Sequence, residues 1–256
     1  DLCLNLFWWG KFRRHKAAVK LHTMLDVKTS IPTVIFITSG AVHEVNLLDH
    51  FPIEEGSYYL LDKGYIEFEK LYRIHKSAAY FVMPAKDNFA FVRLNSRTVD
   101  KQSGVICDQT VRLKNQLVSL KYPPELRRVK YRDAETDTQL VFITNNFELR
   151  PDEIAALYRY RWKIELFFKW IKQHLKVKTF WDYSFNAVKT QIYIAMITYL
   201  LVAIIKHQLK LKQSQYEILQ ILSISLLCKI PLTELFSNTD QQYVKEPESK
   251  QLNIFN

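Results

Sequence analysis

Cysteine is scarce in this sequence: its 256 residues contain only Cys3, Cys107 and Cys228. These three form neither a paired redox motif nor a set with metal-ligand spacing, which argues against a disulfide-stapled secreted domain and favours a reducing, cytosolic compartment. The seven histidines include no HxxxH pair, so a zinc site of that kind has little support.

Long hydrophobic runs are missing too. The longest apolar run covers residues 192–205, fourteen residues between Lys189 and Lys206. A membrane-spanning helix needs about 18 or more. We therefore predict that this segment is a helix buried in the protein core.

Positive charge, in contrast, is abundant. A total of 36 Lys and Arg residues against 26 Asp and Glu gives a net charge of +10, which favours an acidic polymer as partner. Many basic proteins bind nucleic acid without specificity through counterion release, so charge alone does not identify the function. The hydrophobic content of 48% is enough for a full core, and the length allows one large or two moderate domains.

The most informative segment is the helical stretch at residues 158–172. At about 3.6 residues per turn, Tyr158, Arg161, Glu165 and Lys172 lie within a stripe about 60° wide. The neighbouring face is apolar and consists of Ile164, Phe167, Phe168, Ile171 and Leu175. The stripe is expected to border a cleft, where a carboxylate is suited to bind a metal ion. The alternative is an exposed ladder of ion pairs, which is common on helices.

The residue types and gaps of this stripe resemble the Y-R-E-K signature of DDE transposases from bacterial insertion sequences. Tyr158, Arg161, Glu165 and Lys172 all stand at the spacing of that signature. The similarity covers most of the chain and is also evident at residues 12–22, 62–65, 144–147 and 186–192.

This resemblance implies an α/β fold: a ribonuclease H-like core with an inserted β-rich subdomain and a C-terminal helical region. In the family, two aspartates and a glutamate of that core bind two divalent metal ions. Asp62 and Glu165 match the second aspartate and the glutamate, and are the expected catalytic and metal-binding residues. The implied cofactor is Mg²⁺, for which Mn²⁺ can substitute.

The first aspartate of the family has no counterpart in this sequence. In the family it precedes a Ser-Thr-Thr run, a few residues before the segment that resembles the start of this chain, and Asp1 matches a non-catalytic position. We therefore interpret the chain as a fragment or a truncated reading frame. We expect nicking of DNA by this polypeptide to be absent or very weak.

The resemblance also implies DNA contacts. Arg161 and Lys172 are expected to bind phosphates of the element's end, and Tyr158 to add a hydroxyl contact. Trp162 is a candidate for stacking on an unpaired base, although a tryptophan of the core or its rim is at least as good an interpretation. The implied partners are the terminal inverted repeats and the target DNA, bound by a homodimer in the bacterial cytoplasm at the nucleoid.

Sequence patterns predict the order of the elements. An antiparallel strand pair is expected at residues 18–26 and 33–38, followed by a helix at 42–50, a strand at 57–61, a helix at 67–79 and a strand at 80–83. The predicted domains are residues 1–86 for the N-terminal part of the core with its first strand missing or incomplete, 87–147 for the β-rich insertion, 148–236 for the helical part of the core that carries the signature helix, and 237–256 for a polar tail.

Two local interpretations remain open at this point. Asp62 begins an Asp-Lys-Gly sequence after a strand, which is ordinary turn chemistry as well as the place of the family's second aspartate. The cations of the insertion are suited to follow a DNA backbone, but each of them also fits the solvated face of a sheet. These cations are Arg93, Arg97, Arg112, Lys114, Arg127, Arg128, Lys130 and Arg132.

Two functions of different class are compatible with this sequence. One is a transposase that hydrolyses phosphodiesters and transfers strands in its intact form. The other is a catalytically inactive remnant or regulator that binds the ends of the element. A general basic nucleic-acid-binding module is a third possibility, for which Glu165 would have no role.

Overall fold

The computed structural model of the chain describes residues 2–4, 11–13, 16–175, 177, 180–182 and 184–237. The protein has a mixed α/β structure and divides into two compact units, Asp1–Tyr193 and Ile194–Asn256. The described strands all belong to the first unit, and the division between the units falls inside one long helix.

The described strands all precede residue 145, with two α-helices among them, and only helices follow. The strands are β1 (Leu2–Leu4), β2 (Lys11–Arg13), β3 (Lys16–Asp26), β4 (Ile31–Ser39), β5 (Tyr58–Leu60), β6 (Tyr80–Pro84), β7 (Phe91–Arg97), β8 (Val105–Leu113), β9 (Leu126–Arg132) and β10 (Gln139–Thr144). The helices are α1 (Phe68–Lys76), α2 (Gln116–Lys121), α3 (Pro151–Arg159), α4 (Trp162–His174), α5 (Phe185–Gln208), α6 (Gln215–Ser225) and α7 (Leu232–Ser237), with short 3₁₀ helices at Glu44–His50, Lys63–Tyr65 and Lys101–Ser103.

The smaller sheet is built around the antiparallel pair of β3 and β4. The turn between these strands is closed by Asp26, whose carboxylate accepts hydrogen bonds from the backbone N–H groups of Lys28 and Thr29 at 3.0 and 3.3 Å. The Thr29 hydroxyl and the Lys28 N–H hold the pKa of Asp26 below its usual range. The pair confirms the antiparallel strands predicted at residues 18–26 and 33–38.

The larger sheet has six strands in the order β5-β6-β10-β9-β8-β7. β5 and β6 are parallel and α1 is the crossover between them, whereas the remaining pairs are antiparallel. α1 buries Leu71 and Ile74, which are three positions apart and therefore share a helix face. The strands of residues 91–144 are thus hydrogen-bonded into the same sheet as the strand that leads to Asp62.

Both faces of the larger sheet are covered at its centre. Side chains alternate between the two faces of a strand. Met83 and Ile143 belong to one apolar cluster, together with α1 and Tyr122. Their neighbours Val82 and Phe142 belong to a second cluster with α3. This explains why the central strands are nearly continuous apolar runs rather than alternating ones.

The apolar helix predicted at residues 192–205 is only partly buried. It forms the second half of α5. From residue 194 onwards it exposes four apolar side chains, spaced three, four and three positions apart and therefore on one helix face: Ile194, Ile197, Leu201 and Ile204. The opposite side is buried, so the prediction of a fully buried core helix is wrong for one face. At 24 residues, α5 is the one helix among the described residues that is long and apolar enough to cross a membrane, a test that core helices of soluble proteins also pass.

Candidate active site

The stretch that carries the signature residues consists of two helices joined by a tight turn. α3 ends at Arg159 and α4 begins at Trp162. In the turn, the N–H of Arg161 donates to the carbonyl of Tyr158 at 3.0 Å, a bond to the third residue back that is typical of 3₁₀ geometry. The single continuous helix predicted for residues 158–172 is therefore wrong at this point, although the turn keeps Tyr158 and Arg161 adjacent.

The start of α3 is set by its own sequence. Pro151 occupies the first helical position, where its missing N–H removes no helical hydrogen bond. The Glu153 carboxylate reaches back and accepts a hydrogen bond from the N–H of Arg150 at 2.8 Å. These local bonds fix where α3 begins.

Arg161 lies between two carboxylates from distant parts of the chain. Its Nη1 is 3.6 Å from Oδ2 of Asp62, and its Nη2 donates to Oε1 of Glu165 at 2.6 Å. Of these three side chains, that of Arg161 is the least exposed, at 23%, compared with 59% for Asp62 and 40% for Glu165. Burial lowers the pKa of Arg161, but Tyr158 and the two carboxylates outweigh that effect and leave the pKa raised.

Tyr158 forms the apolar floor beneath Arg161. The guanidinium carbon lies 5.7 Å from the centre of the Tyr158 ring, and that ring contacts Phe142 of β10 at 5.0 Å between centroids. Burial raises the pKa of Tyr158 to about 12, with the Asp62 and Glu165 charges adding to the rise and Arg161 opposing it. The phenol is therefore neutral at physiological pH and keeps its hydroxyl proton for donation.

Asp62 uses its two carboxylate oxygens for different purposes. Oδ1 accepts a hydrogen bond from the N–H of Lys63 at 2.7 Å, which caps the short 3₁₀ helix Lys63–Tyr65, whereas Oδ2 faces Arg161 at 3.6 Å. The turn interpretation and the site interpretation of Asp62 are thus compatible in the same conformation.

The turn after Asp62 rests on a group of buried and charged side chains. Glu44 pairs with Lys20 at 2.9 Å, and its Oε2 would lie 4.0 Å from a Cβ at Gly64. The side chain of Tyr65 lies near Glu44. Burial raises the pKa of Tyr65 to about 12, and the negative charges of Glu44 and Asp62 add to the rise.

Lys172 and Trp162 lie on the same helix as Glu165 but outside this cluster. Lys172 follows Glu165 by seven positions on α4, which corresponds to about 10 Å along the helix axis. Its side chain is half-buried. Trp162 begins α4 and is 58% exposed, which excludes a core position but not one at the rim of the core, and its ring is accessible from solvent.

Arg127 is a residue for which the sequence analysis suggested the wrong role. It was among the cations interpreted as suited either to a DNA backbone or to the solvated face of a sheet, and both interpretations are wrong because only 2% of its surface is exposed. Its Nε and Nη2 each donate to the buried carboxylate of Asp108 at 2.9 Å. Its Nη1 donates to the carbonyls of Asn146 and Leu149 at 3.3 and 2.6 Å, just before α3. The position on β9 that faces α3 decides this burial, whereas Arg128 points to the other face and donates to Gln109.

The Thr144-Asn-Asn sequence, noted above only as part of the resemblance, connects several segments of the fold through the side chains of Asn145 and Asn146. We call these two residues the latch. Asn145 accepts a hydrogen bond from the N–H of Phe81 at 2.9 Å and donates to the carbonyl of Ala79 at 2.8 Å, which ties β10 to β6. Asn146 accepts from the N–H of Leu149 at 2.8 Å and donates to the hydroxyl of Tyr58 at 3.2 Å. Two adjacent amides before a helix are the signal that would have identified this latch.

Lys163 adds a contact from α4 to the smaller sheet. Its Nζ donates to the carbonyl of Val27, in the turn between β3 and β4, at 2.5 Å. The helix that carries Glu165 is therefore attached at its first turn to a strand pair remote in sequence.

The side chains around Arg161 include two candidate ligands for a metal ion. Asp62 and Glu165 supply carboxylate oxygens, the ligands that Mg²⁺ prefers, and Mg²⁺ sites commonly use one or two carboxylates with water and substrate phosphates completing the shell. Within the part of the chain that the structure describes, no group of three or more His, Cys, Asp or Glu side chains lies close enough to hold a metal ion. The residues present therefore fit a site that is completed by a phosphate or by further ligands.

A family model described as a transposase DDE domain matches residues 7–201 of the chain. The match includes the two carboxylates, the arginine between them and the whole of the larger sheet.

Curated relatives are also similar to the chain. It is 33% identical over 247 residues to a protein of Sinorhizobium fredii named as transposase y4zB, covering 95% of the chain and 66% of the relative. It is 29% identical over 208 residues to a protein of Geobacillus stearothermophilus named as the transposase for insertion sequence element IS5377, covering 80% of the chain and 54% of the relative. A protein of Synechocystis sp., named as the transposase for element IS4SA, is 28% identical over 196 residues, covering 73% of the chain and 53% of the relative. The chain thus spans about half to two thirds of the length of these relatives.

Proposed function

Since this chain belongs to the DDE transposases of insertion sequences, we propose that it carries part of the centre that cuts and joins DNA at the ends of such an element. The observation that carries the proposal is that Asp62, which follows β5, meets Arg161 and Glu165 at the start of α4, beside the ring of Tyr158. In the intact protein the reaction is phosphodiester hydrolysis followed by strand transfer.

The fold belongs to the same proposal. We assign the β3–β4 pair, the parallel β5 and β6 and the crossover α1 to a ribonuclease H-like core, with α3 and α4 as its later helices. What supports this is the place of Asp62 at the end of β5, close to a carboxylate on a helix much later in the chain. The predicted domain boundaries at residues 86/87, 147/148 and 236/237 remain predictions.

Asp62 and Glu165 are the proposed metal-binding residues. The family generally uses divalent metal ions, and a bound Mg²⁺ supplies activation of an attacking oxygen and stabilisation of the leaving one. The exposed carboxylates are suited to take an ion from solvent. Arg161 holds the two carboxylates together through its charge, which keeps like charges close before a cation arrives.

Arg161 and Lys172 are the proposed phosphate contacts. The guanidinium has a planar fork that fits two phosphate oxygens, and Lys172 adds a point charge about two helical turns away. Tyr158 adds a hydroxyl that stays protonated, and the exposed ring of Trp162 is suited to stack on an unpaired base. The terminal repeats and target DNA as partners, a homodimer on paired ends, and a place at the bacterial nucleoid are part of this proposal.

Metal binding tests the carboxylates without relying on activity. Titration of the chain with Mn²⁺, followed by electron paramagnetic resonance, is expected to show binding that Asp62→Asn and Glu165→Gln each weaken by about tenfold or more, as for loss of a ligand or its support. Asp87→Asn is the matched control, because Asp87 is a fully exposed carboxylate that pairs only loosely with Lys63, at 3.5 Å. Equal Mn²⁺ affinity in all the variants would contradict the metal assignment.

DNA binding tests the cations. Arg161→Gln and Lys172→Gln are each expected to lower the affinity for a short DNA duplex and to reduce the salt dependence by about one counterion. Lys169→Gln removes the same charge from an exposed position of α4 and serves as the control. If all three changes have the same effect, the signature residues make no particular DNA contact.

A second function is binding to the element's ends without cleavage, as a regulator of transposition. The observation that favours it is that the described residues bring only two carboxylates to the site. A nicking assay on supercoiled DNA with Mg²⁺ separates the two. Cleavage that Glu165→Gln abolishes favours the catalytic function, whereas DNA binding with no cleavage favours the regulator.

A further inference from the structure

Strand β9 contacts both ends of the helix that carries Tyr158. At the start of β9, Arg127 donates through Nη1 to the carbonyls of Asn146 and Leu149, which directly precede α3. Its remaining nitrogens are held by the buried carboxylate of Asp108 on β8. The guanidinium therefore has a fixed orientation, and it fixes the segment that leads into α3.

A second contact lies at the far end of the same helix. Asp133 follows the last residue of β9, and its Oδ2 is 3.4 Å from Nη2 of Arg159, the last residue of α3. The Asp133 side chain is 16% exposed, which is low for an acidic residue in a hairpin turn. Its Oδ1 also accepts a hydrogen bond from the N–H of Glu135 at 3.0 Å, so its position is fixed by the turn itself.

The length of β9 matches this arrangement. Six residue steps along a strand from Arg127 to Asp133 cover about 20 Å. Eight steps along α3 from Pro151 to Arg159 cover about 12 Å, and Leu149 and the extended residue Arg150 add length before the helix begins. Between the two contacts, Val129 of β9 packs in one cluster with Ile154 and Ala155 of α3. The helix is thus held by polar contacts at its ends and by apolar contacts along its middle.

We propose that Arg127 and Asp133 are positioning residues of the candidate active site, which set the place of α3 and thereby hold Tyr158 and Arg161 between Asp62 and Glu165. This proposal rests on the proposed function. The two faces of β9 then have different roles. Arg127 faces α3, whereas Arg128 lies on the opposite face with Gln109 and the ring of Phe91. Arg127 and Asp133 therefore affect DNA binding only through the position of Arg161.

Two alternatives are less compatible with the contacts. A direct DNA contact by Arg127 would require a side chain that is 2% exposed to leave the buried Asp108 carboxylate, which would then keep only its 3.5 Å contact with Arg97. A direct DNA contact by Asp133 would place a negative charge against a phosphate. The contacts of both residues are instead directed at the backbone and the last side chain of α3.

A pair of matched substitutions in one turn tests the proposal. Asp133→Asn removes the charge that contacts Arg159 and keeps the carbonyl oxygen that accepts from Glu135. Asp137→Asn removes the same charge from the same turn, but its partner is Arg132, at 2.6 Å, which is exposed. Both variants change the net charge equally, so any general electrostatic effect on DNA binding is the same.

Hydrogen exchange of the full chain gives the first readout. Backbone amides of residues 158–165 are expected to exchange several-fold faster in Asp133→Asn than in Asp137→Asn, because opening of the junction needs less free energy without the contact. The double substitution Arg127→Met with Asp108→Leu removes both buried charges together and is expected to speed exchange at the start of α3 in a folded protein. Equal exchange at the junction in Asp133→Asn and Asp137→Asn would overturn the proposal.

A double-mutant cycle with Arg161→Gln gives the second readout. Asp133→Asn is expected to bind a short DNA duplex about threefold to tenfold more weakly than Asp137→Asn, and this difference is expected to vanish when Arg161→Gln is also present. A difference that persists unchanged in the Arg161→Gln background would overturn the proposal while leaving the proposed function intact. If Arg161→Gln alone leaves the affinity for DNA unchanged, the assigned DNA role of Arg161 is wrong. The exchange measurement then still decides whether Asp133 positions α3.

Discussion

The two halves of the candidate site are held in place in different ways. The junction of α3 and α4, with Tyr158 and Arg161, is positioned by polar contacts at both ends of α3, which come from β9 and from the segment after β10. The contacts at the start of α3 are partly buried, and the ion pair at its end is partly exposed. The turn that carries Asp62 is closed by its own backbone: Asp62 caps it, and the N–H of Tyr65 donates to the carbonyl of Asp62 at 3.0 Å.

This difference indicates which half is preorganised. The Arg161 guanidinium is only 23% exposed and is hydrogen-bonded to Glu165, so it is costly to displace and its position is set before any ligand arrives. Asp62 is more exposed and its Oδ2 has only a loose contact at 3.6 Å, so its carboxylate can adjust to a cation or a phosphate. The predictions below test this contrast.

Removal of Arg127 is expected to have the largest effect on stability. Arg127→Met leaves the Asp108 carboxylate buried without its main partner and should lower the free energy of unfolding by about 3–5 kcal/mol. Urea denaturation measures the change. The double variant Arg127→Met with Asp108→Leu should recover most of the loss, and a double variant as unstable as the single one would show that the buried charge is not the cause.

Removal of the Asn146 side chain comes next. Asn146→Ala deletes the acceptor for the N–H groups of Glu148 and Leu149 in a buried setting and should lower the free energy of unfolding by about 2 kcal/mol. Asn115→Ala is the matched control, because Asn115 also accepts from two backbone N–H groups, those of Leu117 and Val118, but is exposed. That loss of a helix cap should cost about 1 kcal/mol. Equal costs measured by urea denaturation would mean that burial of the latch adds nothing.

Acid should weaken the surroundings of the Asp62 turn before it affects the junction. Burial lowers the pKa of His22 from 6.5, with Lys20 adding to the decrease and Glu44 opposing it. The neutral imidazole is therefore favoured in the folded state, so its contribution is full above pH 6.5 and is lost as the pH falls through the lower folded pKa.

The pH dependence is measurable by thermal unfolding. Between about pH 7.5 and 5.5 the free energy of unfolding should fall by about 1 kcal/mol or less through this group. His22→Gln keeps a polar group near the Thr38 hydroxyl, which lies 2.9 Å from Nε2 of His22, and should flatten the pH profile. A profile as steep as that of the unchanged chain would assign the effect to other groups, such as His75, whose pKa is also lowered by burial.

The smallest effect on stability is expected for Asp62 itself. Asp62→Asn keeps an oxygen that accepts from the N–H of Lys63, and asparagine caps helices as well as aspartate does, so the free energy of unfolding should change by no more than about 0.5 kcal/mol. The same change is expected to weaken Mn²⁺ binding, as proposed above. A large loss of stability in urea denaturation would show that Asp62 is fixed by the fold in the same way as Arg127.

Much of the fold was predictable from periodicity. The strand predicted at residues 80–83 lies within β6, and the helix predicted at 67–79 contains α1. α2 was missed because it has only six residues, and because Lys114, Asn115 and Gln116 at its start have the composition of a turn. The turn at Tyr160 was missed because 3₁₀ and α-helical residues share the same local preferences.

The candidate site was predictable to a different degree. The line of Tyr158, Arg161 and Glu165 follows from spacing along the helical stretch, and the closeness of Asp62 was expected only from the family resemblance. The latch of Asn145 and Asn146 was not expected, because several of its partners, Tyr58, Ala79 and Phe81, lie far away in sequence.

The sequence by itself determined the elements, the basic charge and the signature that leads to the family, because these depend on residue types and on spacings within one segment. Only the tertiary structure decided which of two adjacent arginines is buried: Arg127 faces α3, and Arg128 faces the other side. It also decided that Asp62 meets Arg161, and that one face of α5 is exposed. The physical reason is that burial and charge pairing depend on which elements pack together, and a pattern within a single element does not contain that information.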